Sequence, residues 1–277
     1  MTRTGGGDDD LRDFAAREVE IDGVRKRVYV AGMGPAVVVM AEMPGISPHV
    51  ARFARWVRDA GFSVYMPSLF GRDGAVPLVE EGLAIMRRAC VGAEFRALGG
   101  NASSPVSSWL RGLARIALAE CGPPGVGAVG MCFTGNFALT MMLEPAVQAP
   151  VLAQPSLPLD DPAGLEISAA ELARVRTRLE REGLSVLALR FAGDRYCRAV
   201  RFDAYRAALG ESFTARVLPD SAANPDPPPF FRDVVGGPHS VLTAHLVDRE
   251  GEPTRAARDE VIAFLRMRLQ RVEASAP

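Results

Sequence analysis

The chain has 277 residues, 48% hydrophobic and 23% charged, a globular composition that excludes wholesale disorder. Its 32 basic and 33 acidic residues leave a net charge of -1, which excludes a global field for nucleic acid or an anionic membrane. No stretch approaches the ~20 apolar residues of a bilayer span, and the glycine- and aspartate-rich start has no apolar secretory core, so a cytoplasmic protein is expected. Domains usually run to ~100–200 residues, and compact α/β folds reach ~250. One domain over residues 14–277 is therefore expected, behind a disordered leader over residues 1–13.

In chain order, Asp22-Gly23 is a hairpin turn between strands ending near residue 21 and running over 24–30. Residues 36–40 are short, apolar and β-branched, the pattern of a strand buried on both faces. A helix over 48–60 follows, capped by Ser47, opened by Pro48 and stopped by Gly61, with Val50, Phe53, Ala54 and Val57 on its buried side. Then come a strand at 63–66, a helix at 106–120, a strand at 126–130, a helix at 134–143 and a strand at 150–154. Ser168 and Glu171 form a capping box that opens a helix ended by Gly183. A strand at 184–191, a helix at 198–209, a strand at 213–218 and an amphipathic helix at 254–272 complete the chain. The proline-rich stretch 219–229 is a loop before a further helix.

Strands alternating with helices predict a mostly parallel twisted sheet covered by helices on both faces. In such sheets chemistry gathers at the carboxyl ends of the strands. The strongest signal falls there: Gly130-Met131-Cys132-Phe133-Thr134-Gly135, between a strand and a helix. A sharp strand-to-helix turn lifts its central side chain clear of the sheet, and a helix amino terminus favours a thiolate. Taken alone, Cys132 is as readily a core thiol. Asp194 and His239 follow later strands at intervals of 62 and 45 residues from the preceding member, in the order nucleophile, acid, histidine. His239 lies in Gly236-Gly237-Pro238-His239, with nothing apolar around it, whereas His245 and His49 read as a packed and a peripheral residue. The four cysteines have no C-x-x-C spacing, so neither a metal nor a cofactor is expected.

At roughly residues 17–270 the chain resembles the dienelactone hydrolases, cysteine-nucleophile enzymes of the α/β-hydrolase fold. Ala41-Glu42-Met43-Pro44-Gly45, the Cys132 hexapeptide, Gly193-Asp194 and Pro238-His239-Ser240 carry the likeness. The resemblance implies Cys132 as nucleophile, His239 as base and Asp194 as the residue that orients it. It implies the backbone N–H groups of Met43 and Phe133 as an oxyanion hole, and Glu42 as a carboxylate that helps to deprotonate the thiol. A structural ion pair with an arginine is the other reading of Glu42. The chain departs from the family pattern twice: Thr134 stands where a glycine is usual, and Thr243 where an arginine holds a substrate carboxylate.

The segment 70–108 is expected to cover the site and holds Arg72, Arg87, Arg88 and Arg96, each able to bind an anionic group or to lie in solvent. The expected function is hydrolysis of a small ester or lactone through a thioester, by a monomer or homodimer that binds neither nucleic acid nor membrane. A non-catalytic binding protein of the same fold and a redox-sensing thiol protein are the alternatives. With threonine at position 243, either another arginine from residues 72–96 takes over or the pocket is neutral and prefers uncharged substrates, the second being favoured by a small margin.

Overall fold

The computed structural model describes residues 7–92, 95 and 104–270. Its centre is one eight-stranded sheet, ordered β1-β2-β4-β3-β5-β6-β7-β8. The strands are β1 (Ala15–Ile21), β2 (Val24–Ala31), β3 (Ala36–Met40), β4 (Ser63–Pro67), β5 (Val126–Met131), β6 (Val147–Ala153), β7 (Val186–Phe191) and β8 (Phe213–Leu218). The first two pairings, β1 with β2 and β2 with β4, are antiparallel and all later ones parallel. The helices are α1 (Pro48–Asp59), α2 (Val79–Val91), α3 (Pro105–Cys121), α4 (Gly135–Thr140), α5 (Ala169–Glu182), α6 (Ala199–Leu209) and α7 (Pro253–Leu269).

β3 shows why the sheet is covered on both faces. All five of its residues are buried, and alternate side chains enter opposite cores: Ala36, Val38 and Met40 join one, Val37 and Val39 the other. A strand has period two, so a wholly apolar run needs an apolar layer on each side. The first layer holds Leu110 and Leu113 of α3, Phe137 of α4, Leu179 of α5 and Phe202 of α6. The second holds Phe53 and Val57 of α1 and Val261 and Leu265 of α7. The local signals act as expected. The Ser47 hydroxyl accepts from the Val50 N–H at 3.3 Å; Ser168 and Glu171 bond reciprocally, and Gly183 ends α5 with φ +61°.

Four expected boundaries differ. Residues 7–13 of the expected leader are ordered: Leu11 and Phe14 are buried, and Asp9 donates its N–H to the Gly74 carbonyl at 2.7 Å. Asp9 and Asp13 pair with Arg55, and Asp13 also with Arg58, one turn apart on α1. Glycine and aspartate suggest solvation, yet two apolar anchors and the arginine ladder outweigh that. The helix expected at 134–143 is broken into α4 flanked by tight turns at Cys132–Thr134 and Met141–Leu143. The loop from residue 219 leads only to one wide helical turn, Phe231–Val235. The closing helix starts at Pro253 and ends at Leu269. Among the described residues no helix is long and apolar enough to cross a membrane.

Candidate active site

The turn from β5 into α4 is built by close approach. Cys132 has φ +54°, a left-handed conformation that costs a non-glycine residue energy and persists only where its surroundings enforce it. A Cβ on Gly130 would collide with the Thr134 carbonyl, and one on Gly135 would come within 2.6 Å of Pro155 Cα, so glycine is required at both. Thr134 is a fastener rather than added bulk. Its hydroxyl accepts from the Met131 N–H at 2.9 Å and lies 3.0, 3.1 and 3.2 Å from the carbonyls of Met131, Met40 and Ala41. Its single proton serves one of the three, binding the turn to itself or to the end of β3.

His239 and Asp194 meet as the sequence order suggests. The His239 Nδ1 lies 2.8 Å from Asp194 Oδ2, with both residues buried. The other carboxylate oxygen accepts the N–H groups of Tyr196 and Cys197, each at 2.9 Å. Burial pushes the Asp194 pKa up, but the charge and hydrogen bond of His239 and these two N–H donors outweigh it and hold it below the usual carboxylate range. Burial pushes the His239 pKa down, yet Asp194 and the Cys132 sulfur outweigh it, and the net direction is well upward. The Tyr196 ring stands edge-on to the imidazole at 5.5 Å.

Cys132 stands beside His239. Its Sγ lies 3.2 Å from the Ser156 Oγ, and the His239 Nε2 has no hydrogen-bond partner among the described residues. Either sulfur or hydroxyl can donate in the contact with Ser156, and the sulfur lies close enough to His239 to help raise its pKa. Ser156 was not legible in the sequence beyond its place after the strand at 150–154.

Glu42 follows β3 and is buried. Its carboxyl accepts from the Ser240 hydroxyl at 2.6 Å, from the Thr243 hydroxyl and from the Gln154 Nε2 at 3.3 Å. Burial pushes its pKa up, against those three donors and the charge of His239. The structural ion pair with an arginine, one reading of Glu42, is absent among the described residues. Gln154, at φ +36°, also accepts the Val241 N–H at 3.3 Å, so one residue of the β6 exit ties Glu42 to the histidine loop. Gln154 gave no motif signal, and Ser240 stood in the Pro238-His239-Ser240 motif with no role assigned to it.

Met43 and Phe133 are buried, in the turns that follow the ends of β3 at Met40 and β5 at Met131. The Phe133 ring packs against Phe95, Phe70 and Phe137 at 5.4, 6.0 and 6.3 Å. Of the arginines named above, Arg72 is half-exposed and bound to Asp8 at 2.5 Å, and Arg87 and Arg88 are exposed on α2. None of these three binds the site; Arg96 lies outside the described residues. His245 accepts the Ser240 N–H at 3.1 Å, and burial pushes its pKa down to about 4, as it does that of His49. Among the described residues no three His, Cys, Asp or Glu side chains gather to hold a metal ion.

Residues 25–174 match the model of the dienelactone hydrolase family. No curated protein sequence matches the chain. A Klebsiella pneumoniae protein assigned as a dienelactone hydrolase superposes with a TM-score of 0.57 at 17% identity, over 90% of this chain and 98% of that one. A dienelactone hydrolase-like promiscuous phosphotriesterase from metagenomic libraries gives 0.55 at 20% identity, over 91% and 98%. A cold-adapted esterase from an Arctic intertidal metagenomic library gives 0.56 at 14%, over 97% and 100%. At these identities the likeness establishes the fold, that of the α/β-hydrolases.

Proposed function

Since the chain belongs to the dienelactone hydrolase family, we propose that it hydrolyses a small ester or lactone with Cys132 as nucleophile, His239 as base and Asp194 as the group that orients the imidazole. The observation that carries this reading is the His239–Asp194 pair, 2.8 Å long and buried, beside a cysteine held at φ +54° on a strand-to-helix turn.

The thiol gives its proton to Nε2 of His239. The sulfur electron pair attacks the ester carbonyl, and the carbonyl oxygen becomes an oxyanion taken up by the N–H groups of Met43 and Phe133. The tetrahedral adduct collapses to a thioester. The leaving alkoxide takes the proton from His239, which carries a raised pKa and returns to the neutral imidazole. Water, deprotonated by the same nitrogen, attacks the thioester; the acid leaves and the thiol is restored. Asp194 stays ionised throughout, as its depressed pKa requires. A soluble, cytoplasmic setting suits free thiols.

The test is release of nitrophenolate from p-nitrophenyl butyrate by the wild type and by Cys132→Ala, with mass spectrometry of the quenched enzyme. Turnover lost in Cys132→Ala, and a butyryl adduct on the peptide containing Cys132, support the mechanism. Turnover retained by Cys132→Ala overturns it, and no turnover by either leaves the binding-protein alternative standing.

A further inference from the structure

The loop between β8 and α7 carries two buried histidines, His239 and His245, and the first meets Asp194. His245 closes on the residue next to the first. Its Nδ1 lies 3.1 Å from the Ser240 backbone nitrogen, and its own N–H donates to the Ser240 carbonyl at 3.1 Å. A backbone N–H can only donate, so Nδ1 is the acceptor and the neutral ring carries its proton on Nε2. Phe191 and Phe231 stand edge-on to the ring, at 6.2 and 6.1 Å, an apolar seat that disfavours an imidazolium. Burial first, then the charge of His239, pushes the His245 pKa down to about 4, so the acceptor lone pair is present at neutral pH.

These two bonds matter because of what Ser240 joins. Its N–H belongs to the same planar peptide as the His239 carbonyl, so fixing that N–H fixes the peptide plane at the His239 Cα. The Ser240 hydroxyl is spent on Glu42 at 2.6 Å, and the Val241 N–H on Gln154 at 3.3 Å. From the far side Asn224 donates its N–H to the His245 carbonyl at 2.9 Å and its Nδ2 to the Ala244 carbonyl at 3.2 Å. The turn 240–245 is thus anchored at both ends, and the His245 imidazole holds the end that bears the base. Ser240 is fully buried. Without the imidazole its N–H would be an orphaned donor, and the peptide would rotate to find an acceptor.

We propose that His245 is a positioning residue of the hydrolase: its Nδ1, by accepting the Ser240 N–H, aims the His239 imidazole between Asp194 and Cys132. The inference rests on the hydrolase reading above and goes beyond it by giving the second histidine a part in the reaction. His245 touches no reacting atom; it acts through the backbone of the base. Displacing a catalytic group by about 1 Å can cost about a hundredfold in rate.

The experiment compares the wild type with His245→Leu, which fills the seat without an acceptor, and with His245→Asn, whose Oδ1 can stand near the place of Nδ1. Turnover of p-nitrophenyl butyrate gives kcat and KM. His245→Leu is expected to lose about tenfold to a hundredfold in kcat with KM within about twofold, and His245→Asn to recover most of that loss. In the wild type, nitrogen-15 NMR of the His245 ring at neutral pH is expected to show Nδ1 bare and Nε2 protonated. A folded His245→Leu with wild-type kcat overturns the proposal, as does an equal loss in both variants, which would mark the ring as packing alone. If neither variant folds, the tautomer decides: a proton on Nδ1 overturns the bond, and a bare Nδ1 supports it. A wild type that cleaves no ester refutes the hydrolase reading and this inference with it, a result distinct from an active wild type with an equally active His245→Leu.

Discussion

The Ser156 hydroxyl lies 3.2 Å from the Cys132 Sγ while the Ser156 N–H donates to the Cys132 carbonyl at 3.1 Å. One residue at the exit of β6 thus holds both the side chain and the backbone of the turn. The backbone bond supports the strained φ; the hydroxyl gives the sulfur a second polar neighbour besides His239. These two functions separate in Ser156→Ala, which retains the N–H and loses the hydroxyl.

Ser156→Ala is expected to react faster with iodoacetamide at Cys132, because the thiol loses its competing partner and is left to His239. A gain of about threefold to tenfold in the labelling rate near neutral pH corresponds to one neutral hydrogen bond of ~1 kcal/mol. A slower rate would mean that the hydroxyl stabilises the thiolate instead. Mass mapping of Cys132 against Cys121 and Cys197 supplies the internal control.

Thr134→Val tests the fastening of the turn. Valine keeps the shape and removes the hydroxyl, which leaves the Met131 N–H buried without its 2.9 Å acceptor. Such an orphaned donor costs about 1–3 kcal/mol. The midpoint of urea unfolding should fall by the corresponding amount with an unchanged slope. A loss below ~0.5 kcal/mol would show that the hydroxyl does not hold the turn.

How much of this was legible beforehand follows from the kind of information each feature uses. β3, α1 and α5 were readable because apolar period, cap and stop residues lie within one short window, as Ser47, Pro48 and Gly183 do. Cys132, Asp194 and His239 were readable as an ordered triple at strand ends, and the structure brings the last two to 2.8 Å. Of the partners of Glu42 only the Thr243 position was marked, and that through the family resemblance. Gln154, Ser240 and Thr243 come from two loops more than 80 residues apart, and a hydroxyl or amide carries no spacing rule that marks it as a carboxyl ligand. Thr134 was readable only in part for the same reason: its departure from glycine is visible in sequence, its bonds across to the end of β3 are not. The docking of residues 7–13 depends on Arg55 and Arg58 of another element, which composition alone cannot reveal.

Glu42→Gln examines the buried carboxyl through pH. Burial raises the folded pKa of Glu42 above its ordinary value of ~4.3. A raised folded value means that the proton favours the folded chain, so the stabilisation is full below ~4.3 and is lost as pH rises through the folded value. Glutamine does not titrate. The stability gap between wild type and Glu42→Gln should therefore narrow between about pH 5 and pH 8. Urea unfolding at the two pH values measures it; a gap that widens with pH would mean that the folded protein holds Glu42 as a firmly bound carboxylate.

The His239–Asp194 pair predicts the opposite bounds on one window. Asp194 is depressed, so its contribution is present above ~3.9, its ordinary value, and is lost as pH falls through the lower folded value. His239 is raised, so its contribution is full below ~6.5 and is lost as pH rises through the higher folded value. The ion pair is therefore at full strength between about pH 4 and 6.5. Asp194→Asn keeps an acceptor for the N–H groups of Tyr196 and Cys197 but removes the charge that holds the imidazolium. Removing one member of a buried pair costs about 3–5 kcal/mol, and the loss should be greatest near pH 5.5 and smaller near pH 9, where the imidazole is neutral in the unfolded chain and nearer to neutral in the folded one. The same variant should lose about a thousandfold or more in kcat, because an amide does not fix the tautomer that leaves Nε2 free for the thiol proton. Urea unfolding at both pH values and ester turnover at neutral pH measure the two effects. A stability loss that grows toward pH 9, or activity within about tenfold of wild type, would remove Asp194 from the role assigned to it.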